Sequence, residues 1–156
     1  MKKRGKWRKA IFNVAYTVNE KGLPEYLLLK RKWHWIGWEF PKGKIEDSED
    51  LIKTAKRELR EETGIIIRSD KKIYDHKVKG RYLYPRKVES RPGVIGQTYS
   101  LFSTEVKKPK EVKLDCLEHN GYKWVKFDRA IKLITHGTQR KCLRIVNKCI
   151  ITNNKN

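Results

Sequence analysis

GKIEDSEDLIKTAKRELREETGI, from Gly43 to Ile65, is the segment of this chain with the most informative spacing. It places Glu58, Glu61 and Glu62 at i, i+3 and i+4, so on a helix the three carboxylates share one face. Adjacent carboxylates repel one another unless a multivalent cation neutralises them. Oxygen ligands without Cys or His nearby favour Mg²⁺ or Mn²⁺ over zinc. The alternative is a solvated acidic face that is paired with neighbouring basic side chains.

The same segment fits a longer pattern at every specified position. That pattern is the Nudix box, G-x5-E-x7-R-E-U-x-E-E-x-G-U with U aliphatic, and here it begins at Gly43 and ends at Ile65. The sequence therefore resembles the Nudix hydrolase family, and the resemblance extends from about Trp7 to Ile151. It implies an α/β fold, an αβα sandwich with a mixed β-sheet and a loop–helix–loop Nudix box. We expect one domain over residues 1–156.

The resemblance also implies an activity, namely divalent-metal-dependent hydrolysis of a nucleoside diphosphate linked to another group. The implied metal ligands are Glu58, Glu61, Glu62 and the backbone carbonyl of Gly43 or Lys42. Arg57 would orient Glu58 or Glu61 through a charge-assisted hydrogen bond, and Glu49 would brace the loop. The side chain of Lys42 either contacts substrate phosphate or is a solvated loop lysine.

Segments outside the box resemble two groups within the family. Trp38 to Gly43, WEFPKG, is similar to the lead-in of diadenosine tetraphosphate hydrolases and of RNA 5′-pyrophosphohydrolases. Gly96 to Phe102, GQTYSLF, looks like a strand of the RNA enzymes and of their plant relatives that cleave diadenosine tetraphosphate, although Thr98 and Ser100 depart from it. Glu118 to Trp124 resembles a stretch of both groups, which implies that Glu118 is a metal ligand or the general base.

Two tyrosines are candidates for substrate binding. Tyr82 lies near the place where dinucleoside polyphosphate hydrolases have a base-stacking tyrosine, and Tyr84 follows on the same strand face. The alternative is that both are ordinary sheet aromatics. Trp33, Trp35 and Tyr99 are weaker candidates that we expect to be packing residues.

The chain has 38 Lys+Arg against 18 Asp+Glu, a formal charge of +20. Such a charge attracts polyanions such as RNA, but it also serves solubility. If RNA is the substrate, the segments Lys2 to Lys9 and Lys77 to Arg91 should contact its backbone. Three scattered cysteines fit a reducing cytoplasm, and no apolar run is long enough to span a membrane.

The favoured function is cleavage of dinucleoside polyphosphates, converting diadenosine tetraphosphate to ATP and AMP. The alternative is a 5′-pyrophosphohydrolase acting on triphosphorylated RNA, and a lesser one is an inactive RNA-binding Nudix module. The expected partners are a nucleotide substrate or RNA 5′ ends, and the oligomeric state stays open.

Periodicity and turn residues predict the remaining elements. We expect the box helix to be capped by Asp47 or Ser48, a strand at Ile65 to Ile67, and two C-terminal helices capped by Asp128 and Thr138. The other predicted strands are 7–18, 26–32, 74–84, 94–106 and 122–127.

Overall fold

The computed structural model describes residues 5–154, which form seven strands, three α-helices and one 3₁₀ turn. The strands are β1 (Lys6–Val18), β2 (Pro24–Arg31), β3 (Gly37–Glu39), β4 (Lys42–Lys44), β5 (Ile73–Leu83), β6 (Val94–Glu105) and β7 (His119–Lys126). The helices are α1 (Leu51–Thr63), α2 (Phe127–Leu133) and α3 (Gly137–Asn154), and the 3₁₀ turn is Asp70–Lys72. Within this range no helix combines the length and the apolar character that crossing a membrane requires.

The strands form one mixed sheet with the order β3-β2-β1-β6-β5. β1 runs parallel to β6, from Trp7 opposite Gly96 to Tyr16 opposite Glu105, and the other pairs are antiparallel. This arrangement confirms the predicted mixed sheet.

The sheet forks between β1 and β2. The two strands pair only over residues 16–18 and 24–26, next to their connecting turn. Beyond that point β1 pairs with β4 and β2 pairs with β3. The short segment from β3 to β4 therefore fills the fork. It is tied to β1 by a hydrogen bond from the backbone N–H of Asn13 to the Pro41 carbonyl (2.9 Å). The loop that leads into the box helix is thus built into the centre of the sheet.

Helices cover both faces of the sheet. Because side chains alternate along the central strand β1, this strand contributes apolar residues to a core on each face. Phe12 and Val14 of β1 point into the core that also contains the buried residues of α2 and α3. Ile11 and Ala15 point to the other face, where they belong to the two cores formed with α1. The result is the expected αβα sandwich.

Several predicted boundaries are wrong. The N-cap of α1 is Asp50, whose carboxylate accepts from the Lys53 amide (2.8 Å), and not Asp47 or Ser48. Ser48 instead lies in the loop with a left-handed backbone (φ 63°). Ile65 to Ile67 is not a strand. Ile65 and Ile67 pack against the core while Ile66 is exposed, but their backbone joins no ladder.

The caps of the C-terminal helices also differ from the prediction. Lys126 is the N-cap of α2, which places Asp128 inside the first turn. α3 begins at Gly137, so Thr138 lies within its first turn and does not precede it. In both cases the polar residue favours a helix start but does not fix its register, so the boundary moves by one or two residues.

Candidate active site

α1 presents its acidic face to the fork of the sheet. Ala55 and Leu59 are fully buried on the adjoining side of the helix and hold it against the core. The first acidic residue, Glu58, lies beside β4 at Gly43, where a Cβ atom would collide with the Glu58 carboxylate. A larger residue at this position would therefore displace the Glu58 carboxylate, and the glycine lets β4 and the carboxylate approach closely.

Arg57 is the organising side chain of the box loop. Its guanidinium donates to both oxygens of Glu49 (2.8 and 2.9 Å), to the Lys44 carbonyl (2.8 Å) and to Glu58 and Glu61 (2.7 and 3.1 Å). These hydrogen bonds raise the pKa of Arg57 and lower that of Glu49 to about 2. Arg57 therefore fixes the loop to the helix and orients two box carboxylates together.

Glu49 connects the loop to the start of α1. Its carboxylate also accepts from the Thr54 hydroxyl (2.7 Å) and from the Glu46 amide (3.2 Å). The side chain thus holds the residues that precede the helix, which is the bracing role expected of it.

Two box carboxylates are buried without full neutralisation. Burial raises the pKa of Glu58 to about 7, although the hydrogen bond from Arg57 opposes the shift. Burial also raises the pKa of Glu62, and the charges of Glu39, Glu58 and Glu118 add to this. Glu62 accepts one hydrogen bond, from the Lys42 amide (3.2 Å). Glu61 is about half exposed.

Glu118 comes to this cluster from a distant part of the chain. It immediately precedes β7, and its carbonyl accepts from the Lys32 amide (2.9 Å), which ties it to the end of β2. Glu118 lines the same cleft of about 290 Å³ as Glu58, Glu61 and Glu62. Asp115 also lines this cleft, and no sequence pattern pointed to it.

This donor set fits a divalent cation chemically. It consists of carboxylates, two of them with raised pKa values, beside the backbone of Lys42 and Gly43. Among the described residues, no three His, Cys, Asp or Glu side chains already converge on a common ion position. Binding a cation would therefore require side-chain rotation, which the half-exposed Glu61 allows.

Cations line the other side of the cleft. Arg8, Arg31, Lys42 and Arg91 face it. The Arg8 Nε is buried and has no hydrogen-bond partner among the described residues. Burial lowers the pKa of Arg8, and the charge of Arg91 lowers it further. The Nε of this half-buried guanidinium is therefore a free donor near a second cation, and phosphate oxygens are suitable acceptors.

A buried glutamate, Glu39, connects its own strand β3 to three others at the site. One of its oxygens accepts from Arg31 (3.1 Å) and from His119 Nε2 (2.9 Å), and the other forms an ion pair with Lys42 (3.3 Å). Burial pushes the pKa of Glu39 up, but Lys42, His119 and Arg31 outweigh it and hold the pKa at about 2. Glu39 therefore positions two cleft cations, Arg31 and Lys42. It also holds His119, which is the residue next to Glu118 in the sequence. No local sequence pattern indicates this role.

An aromatic pocket of about 380 Å³ adjoins the cleft. Tyr82 and Tyr84 both line it, with ring centroids 6.2 Å apart, and Trp35 lines it with its ring against His136 (4.4 Å). Four residues face both cavities: Arg31, Lys42, Arg91 and Gln97. The two cavities are therefore neighbouring parts of one site.

The three weaker aromatic candidates, which were Trp33, Trp35 and Tyr99, lie in different surroundings. Tyr99 is buried and stacks on Phe12 (centroids 4.5 Å apart), so it is the packing residue that was expected. Trp35 lines the pocket, and Trp33 is 46% exposed beside His34, so neither is simply a packing residue.

The basic segments proposed to contact RNA reach the site in part. Of the segment Lys2 to Lys9, Arg8 lines the cleft, and residues 2–4 lie outside the described residues. Of the segment Lys77 to Arg91, Arg86 and Arg91 line the aromatic pocket.

Comparison with known proteins assigns the family. Residues 7–144 match the family model of the NUDIX domain. The chain belongs to the Nudix family. The RNA pyrophosphohydrolase of Mannheimia succiniciproducens is 30% identical over 123 residues, which are 74% of this chain and 61% of that protein. The RNA pyrophosphohydrolase of Haemophilus influenzae (strain PittEE) is 28% identical over 153 residues, which are 91% of this chain and 76% of that protein.

Solved Nudix structures share the fold. A binary complex of the C. elegans Ap4A hydrolase has a TM-score of 0.71 at 24% identity, covering 93% of this chain and 98% of that one. The E. coli dihydroneopterin triphosphate pyrophosphohydrolase has a TM-score of 0.73 at 22% identity, covering 90% and 98%. These likenesses confirm the predicted Nudix sandwich.

Proposed function

We propose that this Nudix protein is a pyrophosphohydrolase that uses Mg²⁺ or Mn²⁺ and removes pyrophosphate from the 5′ end of triphosphorylated RNA. The observation that carries the proposal is the composition of the site. Carboxylates form one wall of the cleft, cations including Arg8 with its free Nε form the other, and an aromatic pocket adjoins both. That combination suits a nucleotide whose base enters the pocket and whose phosphates lie in the cleft.

The residues have distinct roles in this proposal. Glu58, Glu61, Glu62 and Glu118 would hold the cation with the carbonyl of Gly43. The bound cation would neutralise phosphate charge and promote ionisation of the attacking water. Arg8, Arg31, Lys42 and Arg91 would bind phosphate oxygens.

The chemistry is a displacement at phosphorus. As the water oxygen attacks phosphorus, Glu118 or Glu58 would accept the proton of the water. The phosphoanhydride P–O bond would break, and pyrophosphate would leave. Arg57 would keep Glu58 and Glu61 oriented through the hydrogen bonds described above. The rings of Trp35, Tyr82 and Tyr84 would contact the base.

Two observations favour an RNA 5′ end as the substrate. The curated relatives named above are RNA pyrophosphohydrolases, and the chain carries a formal charge of +20, which suits a polyanion longer than a dinucleotide. A specific observation supports diadenosine tetraphosphate as a second candidate. Tyr82 and Tyr84 form an edge-to-face pair in the pocket next to the phosphate cleft.

A product assay with both substrates tests the proposal. We expect triphosphorylated RNA to give monophosphorylated RNA and pyrophosphate in Mg²⁺ or Mn²⁺, with a higher kcat/KM than diadenosine tetraphosphate, and EDTA to abolish turnover. A higher kcat/KM for diadenosine tetraphosphate, with ATP and AMP as products, would reverse the choice of substrate. Binding of both without turnover would identify an inactive RNA-binding module.

A further inference from the structure

The last quarter of the chain is basic in a way the active site does not explain. Between residues 119 and 154 there are eight Lys or Arg and a single acidic residue, Asp128. Seven of the eight cations are exposed, and none of them forms an ion pair with another described residue. They are Lys123, Lys126, Arg129, Lys132, Lys141, Arg144 and Lys148.

Three of these cations form a line on α3. Lys141, Arg144 and Lys148 are spaced i, i+3 and i+7, so they share one helix face, and all three are exposed. The opposite face of α3 contains Leu143 and Val146, which are fully buried in the core. We name the line of Lys141, Arg144 and Lys148 the basic stripe.

The basic stripe begins at the wall of the aromatic pocket. Gly137, the first residue of α3, lines that pocket and lies one helical turn before Lys141 on the same face. From Gly137 to Lys148 the helix rises about 16 Å, at 1.5 Å per residue. A single-stranded nucleic acid that leaves the pocket along α3 would therefore meet one cation in each successive helical turn.

We propose that the basic stripe binds the backbone of the RNA strand whose 5′ end lies in the active site. This inference rests on the proposed function, and it adds a contact for nucleotides beyond the first. The chemistry of the stripe favours a nucleic-acid backbone over a protein or a membrane. Among the described residues, no large exposed hydrophobic side chain lies on α3 that could anchor an apolar partner.

Neutralising the stripe gives a measurable electrostatic change. Each phosphate contact on a single strand contributes about 0.7 to the slope of log affinity against log salt, so losing three contacts should make the slope shallower by about 2. Binding at low salt should weaken by at least about tenfold. The catalytic cleft is untouched, because none of the three residues lines it.

The test variant is Lys141→Gln/Arg144→Gln/Lys148→Gln. A matched control, Lys53→Gln/Lys107→Gln/Lys110→Gln, removes the same charge from exposed lysines elsewhere. Lys53 lies on α1, across the sheet from α3. Binding of a fluorescent RNA of about 20 nucleotides with a 5′ hydroxyl is measured by anisotropy in EDTA, across a salt series.

We expect the stripe variant to have a Kd for RNA at least about tenfold higher than the parent's, with a salt slope shallower by about 2. The control should change the Kd by less than about threefold. Turnover of diadenosine tetraphosphate by the stripe variant should equal that of the parent. Equal Kd values for the stripe and control variants would overturn the proposal, and so would a loss of dinucleotide turnover that matches the loss of RNA binding.

A charge-preserving variant, Lys141→Arg/Lys148→Arg, separates charge from helix stability, and its Kd should stay within about twofold of the parent. Weak RNA binding by this variant, which retains the charge of the stripe, would also overturn the proposal. Because binding is measured in EDTA with a 5′ hydroxyl, it does not depend on catalysis. A parent that binds RNA through the stripe but fails to hydrolyse its triphosphate would refute the proposed function alone.

Discussion

Removing the buried charge of Glu39 should destabilise the protein strongly. Glu39 is completely buried and contacts Arg31, His119 and Lys42. Glu39→Gln keeps the shape but leaves Arg31 and Lys42 without their anion. Breaking a buried ion pair from one side costs about 3–5 kcal/mol. The lowering of the pKa of Glu39 from 4.5 to about 2 corresponds to a similar value, on the order of 3 kcal/mol.

The pH dependence gives the prediction a sign. A carboxylate whose pKa is lower in the folded protein contributes stability that is complete above its unfolded pKa and is lost as pH falls through its folded pKa. The Glu39 contribution should therefore be full above about pH 5 and mostly absent near pH 2. The difference in stability between the parent and Glu39→Gln should shrink over the same interval.

Urea denaturation in EDTA at several pH values measures this difference. At pH 7 we expect the free energy of unfolding of Glu39→Gln to be lower by about 3 kcal/mol, and Tm to fall by roughly 6–12 °C. Glu25→Gln is the control, because its partner Lys108 is about half exposed and the pair is 3.5 Å long. The control should change stability by less than about 1 kcal/mol. A Glu39→Gln difference that is as small as the control's, or that does not shrink in acid, would refute the reasoning.

The remaining predictions concern turnover and the substrate. Glu61→Gln and Glu62→Gln should each lower kcat by at least ~100-fold while circular dichroism stays unchanged, since each removes a proposed ligand charge; near-normal turnover would mean that these carboxylates hold no catalytic cation. Glu118→Gln should lower kcat with little change in substrate Kd, whereas a variant that only lost stability would make Glu118 structural. Tyr82→Ala should raise KM for diadenosine tetraphosphate about tenfold if that dinucleotide is the substrate. A silent Tyr82→Ala together with a steep salt dependence of kcat/KM would point to RNA.

The local part of the site could be predicted because it depends on helix geometry alone. The spacing of Glu58, Glu61 and Glu62 places them on one face of any helix that forms there, and α1 forms over this segment. Gly43 and Glu58, which the Nudix resemblance assigns to one metal site, also lie together, but helix geometry alone does not predict that contact. The boundary errors at Asp47 and Asp128 have a different origin, because several polar residues near each start could act as caps.

The non-local part of the site could not be predicted, because strand register creates it. Arg31 stands opposite His119 in the pairing of β2 with β7, and Leu29 stands opposite Glu39 in the pairing of β2 with β3. Neither register is visible in the local sequence pattern. A glutamate in a three-residue strand gives no signal that it will be buried among cations, so Glu39 was missed.

The net charge of +20 illustrates the same limit. Composition alone cannot separate cations that serve solubility from cations that bind a ligand, but their partners in the structure can. Arg31, Lys42 and Arg57 are held by carboxylates and are therefore fixed in position. Arg8 is half-buried, and its Nε is fully buried without a hydrogen-bond partner among the described residues, which costs free energy unless an acceptor binds there. Cations of this second kind indicate a ligand most directly, because an exposed lysine can remain hydrated whereas a buried N–H donor cannot.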